Sequence, residues 1–399
     1  MVLKPINRRG FVGGVATALG YLSVASPLDL LAQGRGRTAP DGSAQPRPRP
    51  TGEDYDALAK LANNENPYGP PPSVMDAMTH AFKYSNRYGY PNPGIVEEIA
   101  KHHGVKPENV MLGSGSGEIL DVASATFLQN GKKILSAQPS YDIVFGHLLS
   151  IKAEAIGVPL TSDFRQDIPA IIKAAHRHYR SIGYVYVCSP NNPTGRIVTK
   201  QDLKQLIDNI PEDLPVLVDE AYFHFVDDPN YETAVPYVLD GRPVIVARTF
   251  SKIAALAGMR LGYAIATRDI LQQMRPSSTG SLNALVQYAG VAALKDTASQ
   301  AQVKKVTLDL RKKTMADLNA LGYNTIPSEA NFFMVHLKRP VTSVGEEFRK
   351  KGVLVGRPFP PLTEHLRVSV GTADEMSRFT TAFKEIMANP VKAATGSSH

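Results

Sequence analysis

Six short apolar runs constrain this chain more than any other feature. They are "NVML", "KKILSA", "YVYVCS", "PVLVDE", "PVIVAR" and "LGYAIAT", spread over residues 109–267. Each is too short for a buried helix, and none alternates apolar with polar as a half-exposed strand would. They read as strands covered on both faces. Segments with helical spacing, such as "GEILDVASATFLQ" and "IPAIIKAAHRHY", stand between them. Strand and helix in alternation argue for an open, mostly parallel α/β sheet. Beyond residue 301 the rhythm changes. A long polar helix, "SQAQVKKVTLDLRKKTMADLNAL", precedes "ANFFMVHL", "EEFRKKGVLVG" and "LRVSVGT", which read as a smaller α+β domain ending in a helix through Ile386. The 399 residues suit two such domains. The expected layout is an arm over 57–84, a large domain over 85–300, a small domain over 301–390 and a frayed tail over 391–399. Within the arm, Pro70 to Pro72 lead into a helix with Ser73 as its expected N-cap.

The first residues follow another logic. "MVLKPINRRGFVGGVATALGYLSVASPLDLLAQG" opens with Lys4, Arg8 and Arg9, continues through a short Gly/Ala-rich apolar stretch and ends in small residues near Ala32. "NRRGFVGG" resembles a twin-arginine export signal, which would occupy residues 1–33 and precede a Pro/Gly/Arg linker over 34–56. The protein is therefore expected to be exported to the periplasm, with a cytoplasmic location as the alternative. No apolar run is long enough to span a membrane. The net charge of +7 is spread along the chain, with no basic helix interleaved with aromatics, so no nucleic-acid partner is expected. The single cysteine, Cys188, reads as core packing. His102–His103 and His176–His178 read as solvated helix faces without metal-ligand spacing.

Four clusters sit at the ends of expected strands, where α/β sheets present ligands. In "MLGSGSGE" the free amides of Gly115, Ser116 and Gly117 can face an anion at a helix start. "SPNNPTG" offers Asn192 as an uncharged donor. "VLVDEAY" ends an apolar strand with Asp219, a carboxylate that must find a partner or bear a large desolvation cost. "RTFSKIAALAGMR" supplies Thr249 and Ser251 hydroxyls, the Arg260 fork and the Lys252 amine. Alone, each is equally a turn, a cap or a surface lysine. Together they ask for one ligand with a phosphate, a basic ring nitrogen and an aldehyde, which pyridoxal 5'-phosphate combines. Burial and neighbouring arginines lower a lysine's pKa, as Schiff-base chemistry requires.

With "NENPYGP", "SPNNPTG", "DEAY" and "RTFSKIAALAGMRLGY" in order, residues 58–388 resemble the fold-type I pyridoxal-phosphate aminotransferases, class I/II, and among them the histidinol-phosphate aminotransferase subgroup. The resemblance implies a large domain with a mostly parallel seven-stranded sheet, and transfer of an amino group between an amino acid or similar amine and a 2-oxo acid. It implies Lys252 as the Schiff-base lysine. Asp219, Tyr222 and Asn192 would be partners of the cofactor ring, with Tyr141 stacked on it. It further implies Tyr88 reaching the phosphate of a neighbouring subunit, and hence a homodimer with shared sites. Arg367 would grip the substrate carboxylate, with Asn331, Arg357 and Asn66 as further substrate-side residues. Two departures stand out: a Pro/Tyr/Gly segment is not found in "RTAPDGSAQPRPRPTGEDY", and a glycine precedes Arg357 in "VLVGRPF". Other readings share the fold: a decarboxylase, a C–S lyase, or histidinol-phosphate transamination itself. A non-catalytic binding protein and a nicotinamide dehydrogenase fit less well. The latter lacks a ribose acid after "KKILSAQPSY".

Overall fold

The computed structural model describes residues 52–388 apart from 147, 149, 150 and 281. The export signal, most of the linker and the tail expected from the sequence lie outside those residues. From Asp54 onward the described chain forms one unit.

In chain order its main elements are β1 (Ala59–Leu61), α1 (Pro72–Ala81), α2 (Ile95–His103), β2 (Val110–Gly113), α3 (Gly115–Phe127), β3 (Lys133–Gln138), β4 (Glu154–Pro159), α4 (Ile168–His178), β5 (Ile182–Cys188), α5 (Lys200–Asn209), β6 (Val216–Asp219), β7 (Val244–Thr249), β8 (Gly262–Ala266), α6 (Ala284–Lys295), α7 (Thr297–Ala320), β9 (Thr325–Ile326), β10 (Phe332–His336), β11 (Val353–Val355), β12 (His365–Ser369) and α8 (Ala373–Ala388). The large sheet has seven strands in the order β2-β8-β7-β6-β5-β3-β4, all parallel except β8, which runs against both its neighbours.

The sheet separates two cores, and the period-two alternation of its strands decides which side chain serves which. Val185, Val187, Val216 and Val218 face a core shared with α2, α4, α5 and α6. Tyr184, Tyr186, Cys188 and Leu217 face the opposite core, under α3. Asp219 follows Leu217 by two residues and falls on the α3 side. Glu220 falls on the other side, where Arg248 of β7 meets its carboxylate at 2.7 Å with both side chains buried. Glu220 also accepts from Thr233 and from the amide of Ala234, so the buried carboxylate is fully engaged. Arg248 reaches on to His103 of α2, at 2.9 Å from Nδ1. The expectation that His102–His103 form a solvated face is thus corrected for His103. Burial, with Arg248 beside it, lowers its pKa to about 2.

A third core gathers β1, β10, β12 and α8. β12, β10 and β9 form an antiparallel sheet, and β1 of the arm pairs in parallel with β11. The arm is therefore stitched to the C-terminal part of the chain by backbone hydrogen bonds. One reading is corrected in detail. Ser73 is not the N-cap of α1: Pro71 occupies that position, and the Ser73 hydroxyl donates to Asp296 at 2.5 Å. The edge strand β4, "EAIGVP", is not among the expected strands: only Val158 of it is buried, and Gly157 and Pro159 flank that residue.

Candidate active site

Strands β5, β6 and β7 end together, and the loops that follow them carry the polar residues. β7 delivers Thr249, Ser251 and Lys252 in a tight turn. The Thr249 hydroxyl donates to Ser251 Oγ at 2.8 Å, while the Ser251 amide donates back to Thr249 Oγ1 at 3.1 Å. The turn ends at Arg260, whose φ of 63° lies in the left-handed region, before β8 begins.

Gly262, at the start of β8, allows helix α3 to dock: a Cβ there would lie 2.3 Å from the amide nitrogen of Ser116. Gly115, with φ of 76°, plays a second steric part. A Cβ on it would lie 2.2 Å from the Arg260 guanidinium. Glycine is what lets that guanidinium rest against the N-terminus of α3, where the first amides have no partner within the helix. Arg260 donates to the carbonyls of Ala257 and Ser114, at 3.0 and 3.3 Å. Glu118, the acid of this first helical turn, is turned aside onto the Ser114 amide and onto Ser278 and Thr279. The amides of Gly115, Ser116 and Gly117 thus lie at a positive helix end with the Arg260 guanidinium beside them, an arrangement that suits an anion.

Asp219 is fully buried. It accepts from the Tyr186 hydroxyl at 3.0 Å and from the Ala221 amide at 3.1 Å. Burial still raises its pKa to about 6, against the lowering effect of those bonds and of Lys252. A buried acid in that state is prepared for a cation. The Lys252 side chain is half-buried, and its amine donates to the Asn63 carbonyl at 3.2 Å. Desolvation lowers its pKa to about 8, helped by Arg367 and Arg260 and opposed by Glu65 and Asp219. Near neutrality a useful fraction of the amine is therefore unprotonated.

Arg367, on β12, crosses from the small sheet. Its Nη1 donates to Asn192 Oδ1 at 2.7 Å, and Nη2 donates to the Ala62 carbonyl. Burial lowers its pKa to about 10, and its Nε is buried with no partner among the described residues. Asn192 Nδ2 in turn donates to the Tyr222 oxygen at 3.3 Å. Burial holds the Tyr222 and Tyr141 hydroxyls well above the usual phenol range. Arg367 and Arg260 both bond neutral oxygens, and neither has an acidic ion-pair partner among the described residues. Two uncompensated guanidiniums and a weakened amine around one buried carboxylate fit a phosphate at one end, a carboxylate at the other and a basic ring nitrogen between.

The remaining expected residues take other places. Tyr141 is half-buried against the α3-side core. Arg357 pairs with Asp142, the residue next to Tyr141, and its guanidinium lies 4.3 Å from the centre of the Phe359 ring. The glycine before it is explained: a Cβ on Gly356 would lie 2.6 Å from the Arg367 carbonyl oxygen. Asn66 spends its amide on the Ile253 carbonyl, 2.9 Å away, and its oxygen on the Tyr68 amide. Asn331 donates to the Asn64 carbonyl at 3.0 Å, so it holds the arm. Tyr88 is fully exposed and meets none of the others. Sequence reasoning missed Tyr186, Glu118, Gly262 and Asn64. Tyr186 was legible in principle, as the residue whose strand position faces the acid of the next strand.

The chain matches the model of aminotransferase class I and II over residues 57–383. It is 37% identical over 339 residues to a histidinol-phosphate aminotransferase of Moorella thermoacetica, covering 83% of this chain and 86% of that protein. A histidinol-phosphate aminotransferase of Symbiobacterium thermophilum is 33% identical over 331 residues, covering 82% and 90%. Among solved structures, histidinol-phosphate aminotransferase from Sinorhizobium meliloti in complex with pyridoxal-5'-phosphate superimposes with a TM-score of 0.77. It is 24% identical and covers 88% of this chain and 98% of that one, a likeness of fold.

The lowered Lys252 pKa is directly measurable. Acylation of the cofactor-free protein by an amine-directed reagent, followed at Lys252 by peptide mass spectrometry, should reach half its maximal rate near pH 8. A midpoint near 10.5, the ordinary lysine value, would mean that the cleft does not perturb this amine.

Proposed function

This chain belongs to aminotransferase class I and II and is a pyridoxal-phosphate-dependent transaminase moving an amino group between an amino acid or similar amine and a 2-oxo acid, and from that premise we propose how its residues divide the work. The observation that carries the division is the pair of guanidiniums, Arg260 and Arg367, without acidic partners among the described residues, both of which act on Lys252. Arg260, Ser251 and the amides of Gly115 to Gly117 hold the cofactor phosphate. Asp219 holds the protonated ring nitrogen, and that cation would draw the raised carboxyl pKa back down. Tyr222 and Asn192 bond the ring oxygen, and Tyr141 covers a face of the ring. When bound, the cofactor supplies an aldehyde to the amine and a ring that accepts electron density as the substrate's Cα–H bond breaks. Lys252, with its lowered pKa, would be the amine that holds the cofactor, and once freed by substrate it would remove and return the proton at Cα. Arg367 fixes the substrate's anionic group in a two-pronged bond and so sets which Cα bond faces the lysine. Asn66, Asn331 and Arg357 act one step back: they hold the arm, the lysine turn and the Tyr141 loop around the substrate.

A second reading of the substrate has a specific support, since relatives at 33–37% identity are named for histidinol phosphate. In that donor a phosphate ester replaces the carboxylate, and Arg367 would take the phosphate. A half-reaction separates the readings. Given an amino donor alone, the cofactor's visible band should disappear, and a 2-oxo acid should restore it. Bleaching by histidinol phosphate but by no amino acid other than the one the 2-oxo acid itself becomes would favour the second reading. A band unchanged by every donor, with loss of carbon dioxide or of a thiol instead, would contradict transamination.

Two further proposals concern the protein in its cell. Tyr88 lies fully exposed, which suits a tyrosine completing the phosphate cradle of a second copy in a homodimer. Mixing inactive Lys252→Ala and Tyr88→Ala chains should then regain about a quarter of wild-type activity, because half of randomly paired dimers carry one intact site. No recovery after verified subunit exchange would contradict sharing. The twin arginines at Arg8 and Arg9 support export to the periplasm. Arg8→Lys/Arg9→Lys should retain the protein in the cytoplasm on fractionation, and unchanged partition would refute the signal.

A further inference from the structure

Asn64 belongs to the arm, touches neither Lys252 nor Asp219 by hydrogen bond, and has no part in the division of roles above. It is nevertheless among the most constrained residues of the cleft. It is 1% exposed and has a φ of 55°, a left-handed conformation that Asn tolerates better than most residues. Each of its polar groups is engaged. Its backbone amide donates to Ser369 Oγ at 2.8 Å, and the Ser369 hydroxyl donates to Asn64 Oδ1 at 3.0 Å. Its carbonyl accepts from Asn331. Its Nδ2 donates to the Tyr222 oxygen at 3.1 Å.

The direction of these bonds follows from donor counting. Ser369 Oγ accepts the Asn64 amide proton, and among the described residues its own proton has no acceptor but Asn64 Oδ1. Oδ1 therefore faces Ser369, and the amide hydrogens of Asn64 must face Tyr222. The same logic fixes Asn192. Arg367 can only donate, so Asn192 turns its oxygen to Arg367 and its Nδ2 to Tyr222. Two N–H groups thus converge on the phenol oxygen from the protein side. Neither can accept a proton, so the Tyr222 hydroxyl has to donate elsewhere, and the open direction is the cleft.

We propose that Asn64 is a positioning residue that forces the Tyr222 hydroxyl to act as a donor to the ring oxygen of the cofactor. The proposal rests on the assignment of the cofactor to this cleft. Ser369 lies two residues from Arg367 on β12, so the same relay ties the orientation of Tyr222 to the strand that grips substrate. An arm residue outside the four strand-end motifs thereby controls the electronics of the cofactor.

The consequence is spectroscopic. In the loaded protein the nitrogen joining Lys252 to the cofactor carries a proton shared with the ring oxygen. A donor aimed at that oxygen competes for it and favours loss of the proton, which lowers the pH at which the visible band titrates. In Asn64→Asp the carboxylate offers an acceptor, and Tyr222 turns its proton toward the arm. The added charge has its own effect, so the test is a cycle with Tyr222→Phe. Asn64→Asp should raise the band's midpoint by about one pH unit more in the Tyr222 protein than in the Tyr222→Phe background. Asn64→Gly keeps the backbone conformation and adds no charge; it should show coupling of the same sign and smaller size, and it serves if the Asp variant does not fold. Equal shifts in both backgrounds, or no shift in either, would overturn the proposal while leaving the cofactor assignment intact. A wild-type protein that forms no visible band with pyridoxal phosphate would overturn both.

Discussion

A carboxylate buried at the end of a parallel strand, with no ion-pair partner among the described residues, is the constraint on which the cleft depends. Asp219 is held by one hydroxyl and one amide, and burial still raises its pKa to about 6. Such a group is costly in a dry interior, and the cationic ring proposed for this site would offset that cost. The neighbouring residue makes the contrast. Glu220, on the opposite face of the same strand end, has a permanent partner in Arg248 and is structural. Two adjacent acids thus take different roles because strand geometry sends one to a saturated network and the other to an open one.

The rest of the site is arranged around that asymmetry. Arg260 and Arg367 are anchored by neutral oxygens, so their charge remains available to ligand anions and also acts on Lys252. Anchoring by carbonyls and amides fixes direction without cancelling charge, which is the preorganisation that electrostatic catalysis requires. The arm completes the arrangement from outside the sheet. β1 pairs with β11, Asn66 caps the lysine turn at Ile253, and Asn64 and Asn331 lock the arm to the strand that carries Arg367. The cleft is therefore built from three parts of the chain that are distant in sequence and joined by buried amide side chains.

Much of this was legible in the sequence, for identifiable reasons. The central strands are buried on both faces, so their composition declares them; β4, at the edge, does not. The strand-end residues Asp219, Asn192, Lys252 and Arg260 stood out because polar groups directly after apolar runs are costly unless used. What escaped was set by three-dimensional register. Tyr186 reads as one more aromatic in "YVYVC" until β5 and β6 are aligned. His103 looked solvated because its helix is polar, yet it faces Arg248. The left-handed backbone of Asn64 and the close approach at Gly262 leave no periodic trace in one sequence.

The account stands on a covalent bond between one particular amine and the cofactor aldehyde. Borohydride reduction of the loaded protein followed by peptide mapping tests this most directly. A phosphopyridoxyl group on the peptide carrying Lys252, in a ratio of one per chain, is the predicted result. A label distributed over surface lysines, or absent from Lys252 while the protein turns over substrate, would contradict it.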